Sequence, residues 1–139
     1  MAAPPSQPEA QHQRTILIAD YALGTIVPLR YLMEQCGYRV LIAPNGQKAL
    51  QLIQSHRPDL VLLEAMIADP DGFEVCQRVR QDPDLKHTPI IFVSAMTREI
   101  DVDKAMALGA AAYIKKPFSN SEIMDNVRKL LELSDGPEQ

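Results

Sequence analysis

The sequence predicts an α/β protein, a parallel sheet between two layers of helices, and three observations predict it. Short apolar runs alternate five times with stretches of helical spacing. Several of those runs are apolar without alternation, as a strand covered on both faces is. The 139 residues, 46% of them hydrophobic, suffice for one domain with a filled core. Strand–helix repeats of this length close by right-handed crossovers into a three-layer sandwich.

The runs are TILIA (15–19), RVLIA (39–43), DLVLLE (59–64), PIIFVSA (89–95) and AAYI (111–114). The first, third and fourth are the most apolar and should be central, with the second and fifth nearer the edges. Between them, Ile26, Leu29, Leu32, Met33 and Cys36 form one helical stripe that Gly37 stops. Pro28 conflicts with an early start; with Thr25 as N-cap it falls in the first turn, where its missing N–H costs little. Ala49, Leu50 and Ile53 mark the second helix, ahead of His56-Arg57-Pro58. Phe73, Cys76 and Val79 mark the third. Val102, Ala105, Met106 and Leu108 mark the fourth, stopped by Gly109. The fifth opens on the capping-box pattern Ser119-Asn120-Ser121-Glu122 and buries Ile123, Val127, Leu130 and Leu131. Residues 1–13, with Pro4, Pro5 and Pro8 among small polar residues, read as a disordered tail, as do residues 134–139. Residues 14–133 are the expected domain.

Composition narrows the function. Eighteen acidic against fourteen basic residues give a formal charge of −4, which argues against nucleic-acid binding as the main task. No apolar run approaches a membrane span, and no basic segment leads into an apolar stretch as a secretory signal does. Cys36 and Cys76 are too few for a disulfide framework or a four-thiolate zinc site, so free thiols in a cytoplasmic protein are expected. His12, His56 and His87 are scattered, and Asp20-Tyr21-Ala22-Leu23-Gly24 carries one glycine, too few for a phosphate-cradling loop.

In open parallel sheets ligands bind beyond the carboxyl ends of the strands. Those ends carry Asp20, Glu64, Ser94-Ala95 and Lys115-Lys116-Pro117: two acids, a hydroxyl and a lysine at one rim.

With ILIAD (16–20), PDLVLLE (58–64), PDGFEVCQRVR (70–80), PIIFVSA (89–95), Gly109-Ala110 and YIKKPF (113–118) in this order and spacing, the chain resembles the receiver domain of bacterial two-component response regulators. The resemblance covers residues 14 to 133. It implies a (βα)5 flavodoxin-like fold with strand order 2-1-3-4-5 and a role in phosphorelay signal transduction. In that family an aspartate ending the third strand accepts a phosphoryl group from a histidine kinase. Two acids after the first strand help hold Mg²⁺, a hydroxyl ending the fourth strand contacts the phosphoryl oxygens, and a lysine before a usually cis proline pairs with them. The resemblance therefore assigns Asp20 to the metal, with the backbone carbonyl of Met66, Ser94 and Lys116 to the phosphoryl site, Tyr113 to the aromatic switch, and a cis bond to Lys116–Pro117. It also implies partners, a kinase or a downstream effector, docking on the fourth helix, fifth strand and fifth helix, and a homodimer through the same face.

Two positions depart from the family. Glu64 stands where the acceptor aspartate belongs, and Tyr21 where the second acid belongs. Ala68 also replaces the usual proline of the following loop. In-line transfer tolerates little misplacement, about 1 Å costing on the order of a hundredfold. Glutamate is one methylene too long, and losing an acid weakens a hard-cation site. Together the two changes argue against ordinary phosphorylation and for a weak or absent Mg²⁺ site.

Two readings of Glu64 stand side by side. Its carboxylate can reach Lys116 or Ser94 as a phosphoryl oxygen would, a partial mimic with one charge instead of nearly two, or the Glu64–Lys116 pair is structural. Likewise Tyr113 is a switch or an ordinary strand aromatic. Asp20 is a metal ligand or a plain partner of Lys116. Asp69 and Asp71 are solvated loop acids or contacts of a cation, and Met66, Met96 and Met106 are core or loop packing or an interaction stripe. The leading function is a protein-interaction module that is not an enzyme. Residual phosphotransfer and response to a small molecule are the alternatives.

Overall fold

The computed structural model describes residues 13–135. The expected N-terminal tail lies outside them except for Gln13, as do residues 136–139 of the expected C-terminal tail. Five strands and five helices alternate without exception: β1 (Thr15–Ala19), α1 (Leu23–Gln35), β2 (Arg39–Ala43), α2 (Gly46–His56), β3 (Leu60–Leu63), α3 (Gly72–Gln81), β4 (Ile90–Ser94), α4 (Glu99–Ala107), β5 (Ala112–Lys115) and α5 (Asn120–Asp135). All pairings are parallel, in the order β2-β1-β3-β4-β5.

The order explains the apolar runs. Every residue of β3 and β4 is buried, because both strands are interior and covered on both sides. Leu17, Val61, Leu63, Ile90 and Phe92 face α2, α3 and α4, whereas Ile16, Ile18, Leu62, Ile91 and Val93 face α1 and α5. Edge strand β2 is only partly covered. β3 and β4 are each one residue shorter at both ends than their apolar runs, and β5 lies one residue further on.

One boundary differs from expectation for a physical reason. α1 begins at Leu23, with Ala22 and not Thr25 as N-cap. The Asp20 carboxylate accepts the Ala22 N–H at 2.9 Å, which turns the chain directly after β1, and the Ala22 carbonyl then accepts from Thr25 and Ile26. Pro28 therefore sits inside the helix. Both it and Gly24, whose carbonyl it cannot serve, are on the exposed face, open to solvent. The other starts follow side-chain caps: Asn45 accepts from Lys48 N–H, Asp71 from Glu74 N–H, and Ser119 from Glu122 N–H. Asp71 is thus a helix cap and not merely a solvated loop acid. Met106, expected to pack, is 44% exposed on α4. α5 runs to Asp135, past the boundary expected at 133.

The 64–72 turn is tightly seated. Gly46 N–H donates to Ala68 O at 2.8 Å, and a Cβ on Gly46 would lie 2.0 Å from the Pro70 carbonyl oxygen. A Cβ on Gly72 would lie 2.5 Å from Glu64 O. Asp69–Pro70 is cis and Asp69 has φ +56°. This turn fixes the backbone that follows Glu64.

Candidate functional site

The carboxyl ends of β1, β3, β4 and β5 meet in one cleft. Asp20 and Glu64 each follow their strand by one residue, Ser94 ends β4, and Lys116 follows β5. Asp20 and Glu64 are 2% exposed and Ser94 is fully buried. Charges so enclosed need partners, and they have them. The Lys116 ammonium lies 3.0 Å from Asp20 Oδ2 and 2.9 Å from Glu64 Oε1. Asp20 Oδ1 accepts from Ala22 N–H. Glu64 Oε2 accepts from Met66 N–H at 3.0 Å and from the Ser94 hydroxyl. All four carboxylate oxygens are engaged. Burial by itself would lower the Lys116 pKa, but hydrogen bonds and charge from Glu64 and Asp20 outweigh it and raise the pKa above the usual lysine value.

The network continues away from the charges. Ser94 Oγ accepts Met96 N–H at 3.1 Å, and the Tyr113 hydroxyl donates to the Met96 carbonyl. Burial pushes the Tyr113 phenol up; the Ser94 hydroxyl opposes this, while Asp101 and Glu64 add to it. Thus Glu64, Ser94, Met96 and Tyr113 are joined by consecutive hydrogen bonds.

The structure brings together Asp20, Glu64, Ser94 and Lys116, and Lys116–Pro117 is cis. Tyr21 is 53% exposed, and Met66 meets the site through its N–H while its side chain is 45% exposed. Sequence reasoning missed Met96 and the Met66 N–H. Their contributions come from the backbone, and no side-chain pattern announces those.

The family model for the response regulator receiver domain matches residues 16–128. The chain belongs to that family. The receiver domain is 34% identical over 122 residues to the alkaline phosphatase synthesis transcriptional regulatory protein PhoP of Bacillus subtilis, a match covering 88% of this chain and 50% of PhoP. It is 34% identical over 102 residues to the polar-differentiation response regulator DivK of Brucella anthropi, covering 73% of this chain and 83% of DivK. It spans about half the length of the transcriptional regulators it matches. Among solved structures it is similar to a putative response regulator from Chloroflexus aurantiacus, with TM-score 0.82 and 31% identity over 86% of this chain and 98% of that one.

Receiver domains typically bind Mg²⁺, but the donors present here fit that cation poorly. Among the described residues only Asp20 and Glu64 bring carboxylates to the cleft, and the Lys116 ammonium lies between them. The residue after Asp20 is an exposed phenol. Among the described residues no group of three or more His, Cys, Asp or Glu side chains is placed to hold a metal ion. A hard dication needs several oxygens that keep their lone pairs free, and here it would have to displace Lys116 from both acids. Among the described residues no helix is long and apolar enough to cross a membrane.

Proposed function

We propose that this receiver domain is a signalling module held in one state from within, and that it is not switched by phosphorylation at the acceptor position. The carrying observation is the double engagement of Glu64. One carboxylate oxygen meets Lys116, and the other takes the Ser94 hydroxyl and the Met66 N–H. Lysine and a hydroxyl are the groups that the family uses on phosphoryl oxygens, so Glu64 occupies the place of the mark. It brings one negative charge where a phosphoryl group brings nearly two. Through Ser94 and Met96 its position is linked to Tyr113. Partners, a kinase-like protein or an effector, or a second copy of this chain, read the surface of α4, β5 and α5. Ile100 and Met106 stand exposed there, at 67% and 44%. Mg²⁺ binds weakly or not at all, and the module performs no catalysis of its own.

The test is intact-mass spectrometry of the chain after incubation with acetyl phosphate and Mg²⁺. No adduct is expected. An adduct on the wild type that Glu64→Ala abolishes would overturn the proposal.

A further inference from the structure

Tyr113 is caught at its ring as well as at its hydroxyl. In the parallel register of β4 and β5, Phe92 and Tyr113 are partners and their side chains share a face. Their ring centroids are 5.7 Å apart and the planes differ by 5°. Phe73, in the first turn of α3, extends the stack to Phe92 at 5.5 Å and 27°. On α4, the Lys104 ammonium lies over the Phe73 ring, 4.4 Å from its centroid. Four residues from four elements thus form a continuous ladder beneath the α4–β5 surface.

We infer that Phe92 and Phe73 are positioning residues, which hold the Tyr113 ring inward independently of the carboxylate cleft. The inference rests on the reading of Tyr113 as the position that reports state to partners. Phe92 is fully buried, so a Tyr113 ring that swung out would leave its face bare in an interior that packs densely. Neither phenylalanine has a carboxylate partner, so their grip does not pass through Glu64. Lys104 joins the same ladder to α4, which carries the exposed Ile100 and Met106. The shape that a partner meets is therefore set partly by aromatic packing. Glu64 anchors the hydroxyl end through Ser94 and Met96, and the phenylalanines anchor the ring end.

The experiment is NMR of the full chain with ¹³C-labelled tyrosine rings, the Tyr113 signal being assigned by Tyr113→Phe. In the wild type Tyr113 should show cross-peaks to Phe92 and titrate above the ordinary tyrosine value of about 10. Phe92→Leu, which removes the ring stacked on Tyr113, should raise the outward population about two- to tenfold, and Phe73→Leu, which loosens Phe92 and reaches Tyr113 through it, should raise it by less. The Tyr113 midpoint should move towards the ordinary value. Ile91→Val, buried on the opposite face of the same strand, controls for general loosening and should leave the Tyr113 signals in place. If Phe92→Leu does not fold, Phe73→Leu decides. A folded variant whose Tyr113 keeps its contacts and its midpoint overturns the inference. The two proposals fail separately. An acetyl phosphate adduct on the wild type removes the lock at Glu64 but leaves the ladder standing. Unmoved Tyr113 signals in the folded phenylalanine variants, beside a wild type that takes no label, remove only the ladder.

Discussion

Lys116→Met is the most informative single substitution. It keeps the length of the stem and deletes the ammonium that serves two carboxylates, each 2% exposed. Breaking a buried ion pair costs about 3–5 kcal/mol, because the remaining charge stays desolvated. The lower end applies here. The Lys116 side chain is 17% exposed, so water reaches it. Glu64 also keeps Ser94 and Met66, and Asp20 keeps Ala22. The expected loss is about 3 kcal/mol at pH 7, or roughly 10 °C in Tm for a domain of this size. The pH dependence has a definite sign. Wild type carries it at the alkaline end of the scale. Its raised Lys116 pKa gives stability that is fully present below the unfolded lysine value and fades as pH rises through the folded one. Urea unfolding at pH 7 reads the loss in the variant, and repeating it above about pH 10 reads the fading of the lysine contribution in wild type. Adding Glu64→Gln to the variant should recover part of the loss. A folded Lys116→Met chain within about 1 kcal/mol of wild type at pH 7 would refute the reasoning.

The remaining predictions concern the cleft and the turn beside it. Glu64→Asp combined with Tyr21→Asp should restore Mg²⁺-dependent labelling by acetyl phosphate, seen by intact mass; neither change alone should do so to the same extent. Ser94→Ala removes the hydroxyl that links Glu64 to the Met96 N–H. It should cost about 1–3 kcal/mol in urea unfolding, since it leaves the part-buried Met96 N–H unpaired and takes a donor from the buried Glu64 carboxylate. Gly46→Ala should destabilise the chain by at least about 1–3 kcal/mol, because the new Cβ meets the Pro70 backbone at 2.0 Å and the backbone must shift.

Much of this architecture was legible in the sequence because burial leaves a plain pattern. LVLL and IIFVS are apolar at every position since both faces of β3 and β4 are covered. The exposed Arg39 and Lys115 mark strands that lie at the edges. The convergence of Asp20, Glu64, Ser94 and Lys116 was legible because each stands at or just beyond the end of its strand. What could not be read depends on tertiary geometry. The start of α1 turns on a carboxylate of Asp20 bonding a backbone N–H two residues on, which competes with the local preference of Thr25 for a cap. The closeness of Gly46 to Pro70 joins two loops far apart in sequence. The Phe73–Phe92–Tyr113 stack requires the β4–β5 register and the approach of α3, neither of which periodicity supplies. Met106 fits the helical stripe of α4 yet lies at its exposed margin.

Backbone amide NMR during titration with Mg²⁺ and beryllofluoride, a compact stand-in for a phosphoryl group, probes the closure of the cleft most directly. With Glu64 seated on Lys116 and Ser94, the Ala22, Met66, Met96 and Lys116 amides should stay where they are throughout the titration. Saturable shifts confined to those four amides, abolished by Asp20→Asn, would show an open pocket and contradict closure by Glu64.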